Sequence, residues 1–112
     1  MENTKIGTTT IAPEVINTIA RLTTLATPGV SRMSRVRFPM AKTPQNPESE
    51  GVKAVIKNNQ LHIELYFVTL SEVNVRMVSE NVQQRVLRAV SEMTGMEVAQ
   101  INVHITDIDF KE

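Results

Sequence analysis

The stretch MTGMEVAQINVHITDIDF, residues 93–110, decides the fold, because one periodicity ends in it and another begins. Before Thr94 the apolar positions recur at helical spacing. Gly95 can adopt the left-handed conformation that closes a helix, and from Val98 onward apolar residues alternate. Ile101, Val103 and Ile105 then share one face of a strand, with Asn102, His104 and Thr106 on the other. After Ile105 the phase breaks: Ile108 and Phe110 are apolar, Asp107 and Asp109 charged. Either the two aspartates form a cation site with His104 as a third ligand, or the strand shifts register through a bulge and leaves them in solvent. Two carboxylates without further fixed ligands hold a divalent ion poorly, which favours the bulge.

Working outward, Val75, Val78, Val82, Val86, Ala89 and Met93 are spaced by three or four residues and predict a helix, with Asn74 or Ser71 available as its N-terminal cap. Valine lies a few tenths of a kcal/mol below alanine in helix propensity, so this helix must be held by packing on a sheet. An earlier helix starts at Pro13, whose fixed φ suits the first helical position, and ends at Pro28-Gly29. Its predicted apolar stripe is Val15, Ile19, Leu22 and Ala26, with Ile16 and Ala20 beside it. The β-branched residues 5–11 predict a strand, as do residues 30–38 with a break at Ser34-Arg35. Residues 52–57 and 61–69 flank Asn58-Asn59-Gln60, a hairpin signal because asparagine tolerates positive φ. Ahead of that hairpin, residues 39–51, with three prolines, read as a long mobile loop.

The order is β-α-β-β-β-α-β. It predicts a single α+β domain over residues 1–112, a two-layer sandwich in which two helices cover one face of a mixed sheet of about four to five strands.

Composition narrows the chemistry. The 112 residues contain no cysteine, which removes disulfides, thiolate zinc sites and cysteine nucleophiles. The first residues lack a basic-then-apolar leader layout. The longest uncharged run, residues 22–31, is ten residues, against the roughly 20 apolar residues that cross a bilayer. A cytoplasmic protein is expected. Residues 1–57 carry eight Lys/Arg and four Asp/Glu, residues 58–112 four and eight, so a neutral chain has a basic half and an acidic half. Arg32, Arg35 and Arg37 concentrate the positive charge into a candidate patch for an anionic partner.

No catalytic site is expected. The four glycines are isolated, which excludes a phosphate-cradling loop and a nucleophile elbow. The two imidazoles, His62 and His104, fall on the open sheet face, where acid–base catalysis would lack a pocket. No cofactor or metal is implied. A small nucleic-acid-binding module using Arg32, Arg35 and Arg37, with Phe38 to stack, is the alternative function. Against it stand the neutral charge and the absence of an RNP-type aromatic pair or Gly-x-x-Gly clamp. Direct attachment to anionic lipid would be weak, at about 1 kcal/mol per basic residue at the surface.

Several residues resemble the alkaline shock protein family: Gly7 and Ile11, Gly29-Val30, Gly51-Val52, Leu61/Ile63/Leu65, Asn81-Val82-Gln83, and most specifically Met93-Thr94-Gly95-Met96 followed by Val98, Ile101-Asn102-Val103 and Asp107-Ile108. The resemblance spans nearly the whole chain. It departs from the family at Leu70-Ser71, where a Tyr-Gly pair is common. What it implies is a small cytosolic protein, typical of Gram-positive bacteria, in the envelope stress response and cell-wall homeostasis. Such a protein has no enzymatic activity and reaches the membrane through an anchored protein partner. No small-molecule substrate is expected, and a homo-oligomer is. The candidate partner-binding surface is the sheet face opposite the helices, carrying His62, Glu64, Tyr66, Val68 and His104.

Overall fold

A computed structural model describes residues 5–35 and 50–110. The elements are α1 (Pro13–Leu25), β1 (Val30–Met33), β2 (Val52–Lys57), β3 (Gln60–Leu70), α2 (Val75–Thr94) and β4 (Glu97–Asp109). Both helices lie on one face of a four-stranded mixed sheet, the α+β sandwich that the periodicities predict.

β3 organises the sheet. Its sequence alternates so that Leu61, Ile63, Leu65 and Phe67 are all fully buried. β1 and β2 pair antiparallel with its later and earlier residues, while β4 pairs parallel along its whole length. A strand has two edges, so β1 and β2 lie end to end on one and β4 occupies the other. The seam between β1 and β2 is closed on one residue. Ser34 N donates to Tyr66 O at 3.0 Å, and Tyr66 N donates to Gly51 O at 2.8 Å. At Gly51, φ is 76°, and a Cβ would stand 2.5 Å from Tyr66 O, so only glycine fits. Asn58 and Asn59, both at positive φ, make the two-residue turn of the β2–β3 hairpin.

α2 is capped as its sequence suggests. The Asn74 side chain accepts from Met77 N, choosing Asn74 over Ser71, and Gly95 is left-handed at the other end. Its buried stripe is Val78, Val82, Val86 and Val90, whereas Met93 is 69% exposed. On α1 the expected stripe is rotated: Ile16, Ile19, Ala20 and Thr24 are buried, while Val15 and Leu22 are 47% and 53% exposed. Thr24 can sit in the core because its hydroxyl donates to Ala20 O at 2.7 Å. A polar residue with its own local partner thus displaces the apolar stripe read from the sequence.

Residues 5–12 form no strand, in contrast to the expectation for residues 5–11. β-propensity measures fit to a pleated, half-buried surface, and this segment pairs with none of the four strands. β1 ends at Met33, just before the Ser34-Arg35 break. Most of the proline-rich segment lies outside the described residues.

Candidate functional site

On the sheet face away from the helices, cross-strand register assembles a polar and aromatic cluster. Tyr66 of β3 stands opposite His104 of β4, and Glu64 opposite Asn102. The Tyr66 and His104 rings stack, with centroids 4.5 Å apart and planes 15° from parallel. Glu64 receives both neighbours: Asn102 Nδ2 donates to Oε2 at 2.6 Å, and His104 Nε2 lies 2.7 Å from Oε1. Burial works against the Glu64 carboxylate. The hydrogen bonds from His104 and Asn102, together with the charges of His104 and Lys53, outweigh it and hold its pKa below the ordinary value. Lys53 is the residue of β2 paired with Glu64.

His62 is on the same face, but its β4 neighbour is Gln100, so the two imidazoles are not brought together. Val68 is a correction. The register places it on this face, yet it is only 2% exposed. Side-chain hydrogen bonds cross β3 on either side of it, between Ser34 and Thr106 and from Ser31 Oγ to Asp109 Oδ2 at 2.6 Å. Val68 therefore packs within the protein and contributes nothing to a docking surface.

The aspartates have the local explanation. Thr106 is skipped in the pairing, a register shift that moves Asp107 opposite Val68 and Asp109 opposite Leu70. Asp107 Oδ1 accepts from Ile108 N at 2.8 Å and Asp109 accepts from Ser31, while His104 is engaged with Glu64. Among the described residues no group of three or more His, Cys, Asp or Glu is arranged to hold a metal ion.

Of the basic patch, Arg32 and Arg35 are described, whereas Arg37 lies outside the described residues, as does Phe38. Arg35 Nε is 3.4 Å from Glu50 Oε1 across the seam. Arg21 of α1 comes beside them at one cleft. The sequence places Arg21 with the other arginines in one acid-free basic stretch, residues 21–42, but not in the Arg32/Arg35/Arg37 patch itself. Sequence reading missed the Tyr66–His104 stack, since that contact depends on the parallel alignment of β3 and β4. No described helix is long and apolar enough to cross a membrane.

Comparison with known proteins bears on the whole chain. The alkaline shock protein family, described by a cell envelope-related function, matches residues 1–110. An uncharacterized protein of Bacillus subtilis (strain 168), YqhY, is 30% identical over 112 residues, covering 97% of this chain and 82% of that protein. Among solved structures, one variant of MamM-CTD superposes with a TM-score of 0.52 at 12% identity, over 90% of this chain and 100% of that one. Another MamM CTD variant does so at 0.51 and 13%, over 88% and 95%. These structural likenesses speak to fold alone.

Proposed function

This chain belongs to the alkaline shock protein family, and on that premise we propose that it is a non-enzymatic protein of cell envelope homeostasis that works by binding another protein through its open sheet face. The observation that carries this is the Tyr66–His104 stack braced by Glu64 and Asn102. Tyrosine offers a large contact area with a polar tip, and here its ring is already fixed by a neighbour on rigid strands, so less side-chain freedom is lost on docking. Glu64, His104, His62 and Lys53 surround it with polar groups that would form a rim. The partner is a protein of the cell envelope, membrane-anchored, and the cytoplasmic side is where the two would meet.

The test replaces Tyr66 with Ala and His104 with Ala, separately, and leaves Val68 untouched because it is core. Folding is checked by circular dichroism. Tagged parent and variants are then used to recover partners from the native host, with light scattering for self-association. Loss of a recovered envelope protein, or of self-association, in folded variants is expected. Unchanged recovery and unchanged mass in both would sink the assignment of this face.

A further inference from the structure

We infer that the cleft between α1 and the β1 edge is a binding site for a phosphate monoester carried on a small soluble molecule. The cleft measures about 540 Å³, within the size range of small-ligand sites, and is lined by Arg21, Leu25, Arg32, Met33, Arg35 and Glu50. Among the described residues its lining carries three arginines and one glutamate, a formal excess of two positive charges that suits a phosphate dianion. Glu50, the one acid among the described lining residues, does not cancel the site. Glu50 is paired with Arg35, whose side chain is 91% exposed, and Arg32 has no hydrogen bond or ion pair among the described residues. The donors of Arg32 are thus not engaged by another described residue, and a guanidinium fork can meet a phosphate or carboxylate with two parallel hydrogen bonds.

The sequence and fold converge on this grouping from separate elements. Arg21 is the only basic residue of α1, Arg32 belongs to β1, and Arg35 and Glu50 flank the seam that Ser34 and Gly51 close on Tyr66. Leu25 and Met33 add an apolar wall, which favours a ligand with an apolar body over inorganic phosphate alone. The cleft shares no lining residue with the Glu64–His104 cluster, so this inference stands independently of the proposed protein-binding face.

The experiment titrates the full chain at low salt with phenyl phosphate, inorganic phosphate and benzyl alcohol, by calorimetry and by amide NMR shifts. Phenyl phosphate is expected to saturate, to bind more tightly than inorganic phosphate, and to shift amides near Arg32. Benzyl alcohol should not bind. Arg32→Gln and Arg35→Gln should each weaken phenyl phosphate by about tenfold, as loss of a charge-assisted hydrogen bond implies. Lys57→Gln makes the same change of net charge at an exposed position outside the cleft, and should alter binding by less than about twofold. Parallel arms with phosphatidylglycerol vesicles and with single-stranded RNA separate the sources of phosphate. Non-saturating titrations, equal weakening by Lys57→Gln and Arg32→Gln, or binding confined to vesicles or to RNA would each overturn the assignment.

Discussion

Glu64 shows how one side chain can define a surface. Alone on an antiparallel hairpin it would be an ordinary solvated carboxylate. Opposite Asn102 and near His104 it is hydrogen-bonded through both oxygens, which lowers its pKa although burial acts in the other direction. A group whose folded pKa lies below its unfolded value releases its proton more readily when folded. The unfolded chain therefore binds more protons in the interval between the two values, and stability rises with pH across it. The contribution is complete above the unfolded carboxylate range and is lost as pH falls through the lowered value. Comparing parent and Glu64→Gln by urea denaturation from about pH 6 down to about pH 3, the parent's advantage is expected to shrink toward the acid end. A difference that stays constant over that range would mean that the charged form gains nothing from its neighbours. Alternation along the two strands puts Glu64, Tyr66 and His104 on one face, but it carries no record of which of them touch. That depends on the parallel register of two strands separated in sequence by a helix.

At the scale of elements, α2 is where local signals agree with tertiary structure. Its cap, its terminating glycine and its valine spacing all survive, because each rests on neighbours within a few residues. Three substitutions separate what holds it. Asn74→Ala should lower stability by about 1 kcal/mol through the lost cap. Val86→Ala, at a fully buried position against the sheet, should lower it by about 2–3 kcal/mol. Met93→Ala, on the exposed side, should change it by less than about 0.5 kcal/mol. Urea midpoints of the purified variants check the ranking, and a Met93 effect as large as that of Val86 would contradict the observed stripe. α1 was less legible for a physical reason. Thr24 looks polar in sequence but satisfies its hydroxyl within its own helix, so the true stripe contains a residue that hydropathy patterning rejects. Residues 5–11 have strand composition yet pair with no strand of the sheet, and propensity alone says nothing about whether a partner edge comes within reach.

For the molecule as a whole, the alternation of helical and two-residue periods was enough to read two helices against a mixed sheet. The pairing order was legible only in part: the β2–β3 hairpin is local and signalled by its asparagines, whereas β1 joins the same edge of β3 through contacts distant in sequence. That shared edge divides the charge as well: Arg32 stands beside Val68 on one side of β3 and Asp107 on the other, so basic and acidic residues of the two halves come to opposite flanks of the same strand. The seam at Tyr66 has a consequence for how this fold can be altered. Ser34 and Gly51 are each moored to the backbone of the same residue, so the chain departs from and returns to fixed berths whatever its length in between. Gly51→Ala should therefore cost more than about 2 kcal/mol, because a Cβ there meets the Tyr66 carbonyl and the residue stands at positive φ. A urea titration that finds a loss below about 0.5 kcal/mol would show instead that the berth yields to a side chain. If the larger figure holds, the two strands on this edge are clasped at a point where the fold admits no side chain at all.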